Sequence, residues 1–82
     1  MNRSELIEKM QIMMRRRFRL RVQRNAKNLA TGEIAKGKIE YGWIILNIQG
    51  DIATLCREGS TDIFYAKAQH LFELNKEIFE AV

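Results

Sequence analysis

Residues 15–24 read Arg-Arg-Arg-Phe-Arg-Leu-Arg-Val-Gln-Arg, and whether they close a helix or open a strand decides the fold. Phe18, Leu20 and Val22 alternate with arginine as on a half-buried strand, whereas Phe18, Val22, Ala26 and Leu29 continue a helical period toward a cap at Gly32. The strand reading puts all three large apolar residues on one face. The helix reading leaves Leu20 opposite Phe18, so the strand is favoured. No glycine or proline separates this ladder from the segment before it, which keeps open the alternative of one long N-terminal helix followed by β-β-α.

Upstream, Leu6, Ile7, Met10, Met13 and Met14 recur at helical spacing. Asn2 or Ser4 offers a cap, and Glu5 stands three residues after Asn2 as in a capping box, which predicts a helix over 3–15. Downstream, residues 38–48 are rich in Ile, Tyr and Trp, and their alternation slips near Gly42. That pattern predicts a central strand buried on both faces and bulged at Gly42. Gln49-Gly50-Asp51 turns the chain into a third strand, Ile52–Arg57, so residues 43–57 read as a hairpin. After Glu58-Gly59, one of Ser60, Thr61 and Asp62 caps a final helix of about twenty residues. Its core stripe is Phe64, Ala68, Leu71, Phe72, Ile78, Phe79 and Val82.

The expected fold is α+β: helix, three-stranded antiparallel sheet, helix, in one domain over residues 1–82, with both helices on one face of the sheet. This order resembles the double-stranded RNA-binding domain. That family's Lys-Lys-x-Ala-Lys stretch would fall on Asp62–Lys67, where only Ala66-Lys67 matches, so the resemblance is one of topology. Trp43, the Gly50 turn, Leu55 and Ser60-Thr61 opening a helix are similar to the three-strand-plus-helix domains of AP2 proteins and phage integrase arms, over about half the chain.

The net charge of +4 conceals two halves: residues 1–38 carry 11 bases and 3 acids, residues 39–82 carry 3 bases and 7 acids. A basic half favours an anionic partner, because each neutralised phosphate of a nucleic acid releases a condensed counterion. The candidate contacts are Arg17, Arg19 and Arg21 on the first strand, Lys36 and Lys38 on its neighbour, and Arg15, Arg16 and Arg24 at the flanks. Solvated arginines paired in part with Glu33, Glu40 or Glu58 are the plainer alternative. Tyr41 and Trp43 share a strand parity and are read first as core, second as platforms for stacked bases.

Nothing in the sequence points to catalysis. His70 is the only histidine and is expected at the surface; Cys56 is the only cysteine. A zinc site and a Ser-His or Cys-His pair therefore lack their residues. No Gly-x-x-x-x-Gly-Lys segment cradles a phosphate, and Glu40 and Asp51 have no spacing that favours a metal nuclease. Met10, Met13 and Met14 read as helix packing. No metal, cofactor or membrane association is expected. A single cysteine and the lack of a signal-peptide or membrane-spanning apolar run point to the cytoplasm.

The sequence therefore leads to a small non-enzymatic nucleic-acid-binding protein, of the accessory or regulatory type found in phages and mobile elements, with DNA and RNA both open. The alternative is a protein-interaction module or small phage inhibitor that meets an acidic surface of a host complex. Ile63, Leu74 and Ala81, outside the core stripe of the final helix, form a candidate homodimer interface.

Overall fold

The computed structural model describes all 82 residues and contains an α+β fold with three helices and a four-stranded antiparallel sheet. Helix α1 spans Arg3–Arg15. The Asn2 side chain accepts the Glu5 N–H at 2.9 Å, filling one of the open donors of the first turn. Leu6, Met10 and Met13, at the predicted spacing, are buried.

The helix ends without glycine. The Arg17 N–H donates to Met14 O at 3.2 Å and the Phe18 N–H to Met13 O at 3.0 Å, with Arg17 at φ 53°. This is the Schellman arrangement, and an arginine holds the left-handed position normally given to glycine. Phe18 packs against the core as the hydrophobic contact that accompanies the motif. Strand β1 therefore starts at Leu20 and runs to Lys27. Strand is the correct period for this segment, but Arg17 and Phe18 belong to the turn.

Strand β2, Ile34–Gln49, is 16 residues long, and its halves have different partners. Its first half pairs with β1 from Lys27↔Ile34 to Leu20↔Trp43. Its second half pairs with β3, Ile52–Arg57, from Trp43↔Arg57 to Gln49↔Ile52. The register shifts three times along β2, and such bulges curl a sheet. One shift falls at Gly42, as predicted, with φ 82°. Another falls beside Gly37, where a Cβ would lie 2.3 Å from the Arg24 carbonyl oxygen, so only glycine fits.

The predicted twenty-residue last helix is corrected in two places. Ile63–Lys67 is a fourth strand, β4, paired with β3 from Cys56↔Ile63 to Ile52↔Lys67. Helix α2, Ala68–Leu74, follows directly and is separated by Asn75 from α3, Lys76–Ala81. The strand count is thus four, in the order β1-β2-β3-β4. A strand where a last helix should open also removes the topological likeness to the double-stranded RNA-binding domain.

The helices supply Leu6, Met10, Met13, Ala68, Leu71 and Phe79 to one cluster with Leu20, Val22, Trp43, Ile45, Leu55 and the small Ala53 and Ala66. Phe64, Phe72, Ile78 and Val82 pack against it. The other sheet face is uncovered, so β2 is not buried on both faces: Ile44 is half-buried and Leu46 exposed.

Candidate nucleic-acid interface

The arginine ladder divides into two sets once its partners are in place. Arg19 grips Glu58 with both ends of its guanidinium, Nε to Oε2 at 2.8 Å and Nη2 to Oε1 at 3.1 Å. Arg21 pairs with Glu77, donates to Leu74 O at 3.4 Å, and lies over the Tyr41 ring at 5.7 Å. Arg24 holds Glu40 by two bonds of 2.7 and 2.9 Å over the Trp43 ring, while Arg57 reaches the same carboxylate at 3.3 Å. The hydrogen bond from Arg24 holds the Glu40 carboxyl below its ordinary value, and the bond from Arg21 does the same to Glu77. Both arginines are raised in turn. All three carboxylates come from the acidic half of the chain, so folding closes part of the charge separation seen in the sequence.

The second set has no carboxylate. Arg15, Arg16, Arg17, Lys27, Lys36 and Lys38 are exposed and take part in none of the ion pairs. Arg15 to Arg17 sit where the α1 carbonyl ends gather partial negative charge. The lysines sit on the hairpin formed by β1 and the first half of β2. Strand β1 is about 23 Å long at the usual rise: Arg15 to Arg17 precede its start and Lys27 ends it, while Lys36 stands opposite Asn25 and Lys38 further in, beside Arg24 and Glu40. Of the candidate residues, Arg21 and Arg24 stand on β1 and Lys36 and Lys38 on β2, whereas Arg15 to Arg17 close α1 and Arg19 precedes β1; Arg19, Arg21 and Arg24 are each tied to an acid.

No protein family matches the chain, and no curated protein or solved structure is similar to it.

Several further expectations are corrected. The bulge at Gly42 separates the two aromatics read as one parity: Trp43 is fully buried, and Tyr41 is 64% exposed. Trp43 packs edge-on against Phe64 at 6.1 Å. His70 is half-buried beside Phe64 at 6.4 Å, with Nε2 unpartnered, and is not a surface residue. Ile63, Leu74 and Ala81 lie on β4, α2 and α3 respectively, so they do not share a line on one helix. Leu74 is half-buried. No three His, Cys, Asp or Glu side chains are grouped to hold a metal, and no helix is long and apolar enough to cross a membrane.

The residue missed by sequence reasoning is Asn75, fully buried and the only polar residue in the interior. Its Oδ1 accepts the Arg21 N–H at 2.9 Å, and its Nδ2 donates to Arg21 O at 3.0 Å and Leu71 O at 2.8 Å. The carboxamide thus pairs with the outer edge of β1 as a neighbouring strand's peptide would, and it fixes the middle of the arginine ladder to the helices. Nothing local in the sequence marks it, because its strand partner, Arg21, lies 54 positions away.

Proposed function

We propose that this chain is a small, non-enzymatic nucleic-acid-binding protein that tracks the phosphate backbone along β1. The carrying observation is a group of six exposed cations without acidic partners, Arg15 to Arg17 before β1 and Lys27, Lys36 and Lys38 on the hairpin of β1 and β2; Lys67 and Lys76, likewise exposed and unpaired, lie on β4 and α3. Free cations release counterions from a duplex when they bind, whereas an arginine already held by a carboxylate must first give up that partner. Arg15, Arg16, Arg17, Lys27, Lys36 and Lys38 therefore supply the phosphate contacts. Arg19, Arg21 and Arg24 serve mainly to brace the strand. The length of β1, which separates Arg15 to Arg17 from Lys27, matches about seven base pairs of B-form duplex at 3.4 Å each.

The test is fluorescence anisotropy with random-sequence duplex DNA, single-stranded DNA and duplex RNA across a salt series. Arg15, Arg16 and Arg17 replaced together by Ser should lower the slope of log K against log salt by up to about three. Replacing Arg19 alone should change it by less than one. Salt-independent binding, or a triple variant that behaves as wild type, overturns the reading.

A further inference from the structure

The hairpin at the far end of β1 has no core. Residues 25–36 are exposed throughout, and only β1 and β2 pair there. The tip is nevertheless tightly built. Asn28 N–H donates to Glu33 O at 2.8 Å, and Gly32 N–H donates back to Asn28 O at 2.7 Å. Asn28 Oδ1 accepts from the Ala30 and Thr31 amides at 2.9 and 3.4 Å, and Thr31 Oγ1 accepts from the Glu33 amide at 3.3 Å. What this turn holds out is Leu29, 94% exposed.

A single exposed leucine is unremarkable on a protein surface, but this one is fixed at the apex of a two-stranded arm that carries Lys27 and Lys36 on its strands and Glu33 at the close of its turn. Lys27 stands opposite Ile34 and Asn25 opposite Lys36, so by alternation these four share one face of the arm. Ile34 is itself 67% exposed. Apolar tips carried between cations suit duplex DNA: the lysines meet phosphates, and the apolar side chain enters between base pairs, partly unstacking them and bending the helix. Such wedges act from the minor groove of B-form DNA and kink the duplex toward its major groove.

We infer that Leu29 is an apolar wedge, presented by the Asn28–Gly32 turn, that inserts into a base step of duplex DNA and bends it. This rests on the nucleic-acid reading above. It places the distortion beyond the end of β1, more than about seven base pairs from the contacts of Arg15 to Arg17. Because unstacking is already partly accomplished at a mismatch, wedge insertion favours mismatched over fully paired DNA.

The experiment uses one 30-base-pair duplex with and without a central mismatch, labelled at both ends for energy transfer. Wild-type protein should bind the mismatched duplex about tenfold more tightly and raise end-to-end transfer on both. Leu29→Ala, whose side chain supports no core, should bind the two duplexes equally, leave transfer unchanged and keep the wild-type salt slope. The Arg15, Arg16 and Arg17 triple variant should weaken both complexes by the same factor and preserve the tenfold ratio. Salt-dependent binding without preference or bending, or a Leu29→Ala protein that retains both, overturns the wedge and leaves the phosphate contacts standing. Absence of salt-dependent binding to either duplex overturns both readings.

Discussion

Replacing Asn75 by Ala tests whether one side chain closes the edge of the sheet. The substitution removes three hydrogen bonds, to Arg21 N–H, Arg21 C=O and Leu71 C=O. It leaves those backbone groups facing a site from which Asn75 itself is completely screened. A stranded buried polar group costs about 1–3 kcal/mol. Arg21 is only half-buried, so water recovers part of the loss at its two groups, and the expected total is about 3–5 kcal/mol. Domains of this size have about 5–10 kcal/mol in all, and with a urea m-value near the low end of the usual range the midpoint should fall by about 2 M or more. Asn75→Asp separates the loss of donors from the loss of volume. Its carboxylate still accepts from Arg21 N–H but faces two carbonyl oxygens, which raises its folded pKa above the unfolded one near 3.9. Its stability is then greatest below that unfolded value and declines as pH rises through the folded value. Urea melts followed by circular dichroism give both results. An Asn75→Ala midpoint equivalent to less than about 1 kcal/mol of destabilisation would refute the edge-cap reasoning.

Arg17→Gly should stabilise the protein by about 0.5–1 kcal/mol, since glycine holds the left-handed position without a Cβ penalty but loses more chain entropy on folding. The melting temperature should rise by about 3–6 °C, while the salt slope of duplex binding drops by about one; a lower melting temperature contradicts the Schellman assignment. Glu40, its folded pKa held below 4.5 by Arg24, contributes stability that is present above 4.5 and lost as pH falls through the lower folded value. Glu40→Gln should therefore flatten the acid limb of a stability-versus-pH curve, and an acid limb that coincides with wild type refutes the linkage.

The capped first helix, the 43–57 hairpin and the slip at Gly42 were all legible because each is written in neighbouring residues. The end of α1 was not: a Schellman close usually displays glycine, and Arg17 occupies that place. Strand β4 was hidden by coincidence of period. Phe64, Ala68, Leu71 and Phe72 keep a helical spacing through the point where strand becomes helix, although Ile63-Phe64-Tyr65 carries the β-forming residues that could have signalled it. The same continuity concealed the break at Asn75. Of the candidate surface, the sequence supplied the residues but not their division. Glu58, Glu77 and Glu40 reach Arg19, Arg21 and Arg24 across 39, 56 and 16 positions, and such pairings exist only once the sheet and helices have met.

The exchange of partners along β2 has a consequence for life at high protein concentration. Over Ile34–Tyr41 the side of β2 turned away from β1 carries no strand, and an open edge of that length is a template on which a second chain could add. Lys36 and Lys38 stand along it, and the irregularities at Gly37 and Gly42 break its flatness, the two devices by which natural sheets discourage recruitment. The lysines proposed to meet phosphate thus also stand as guards against self-association. Exchanging them for apolar strand-formers would turn the arm into a site of aggregation, and under the proposed function it would also weaken nucleic-acid binding.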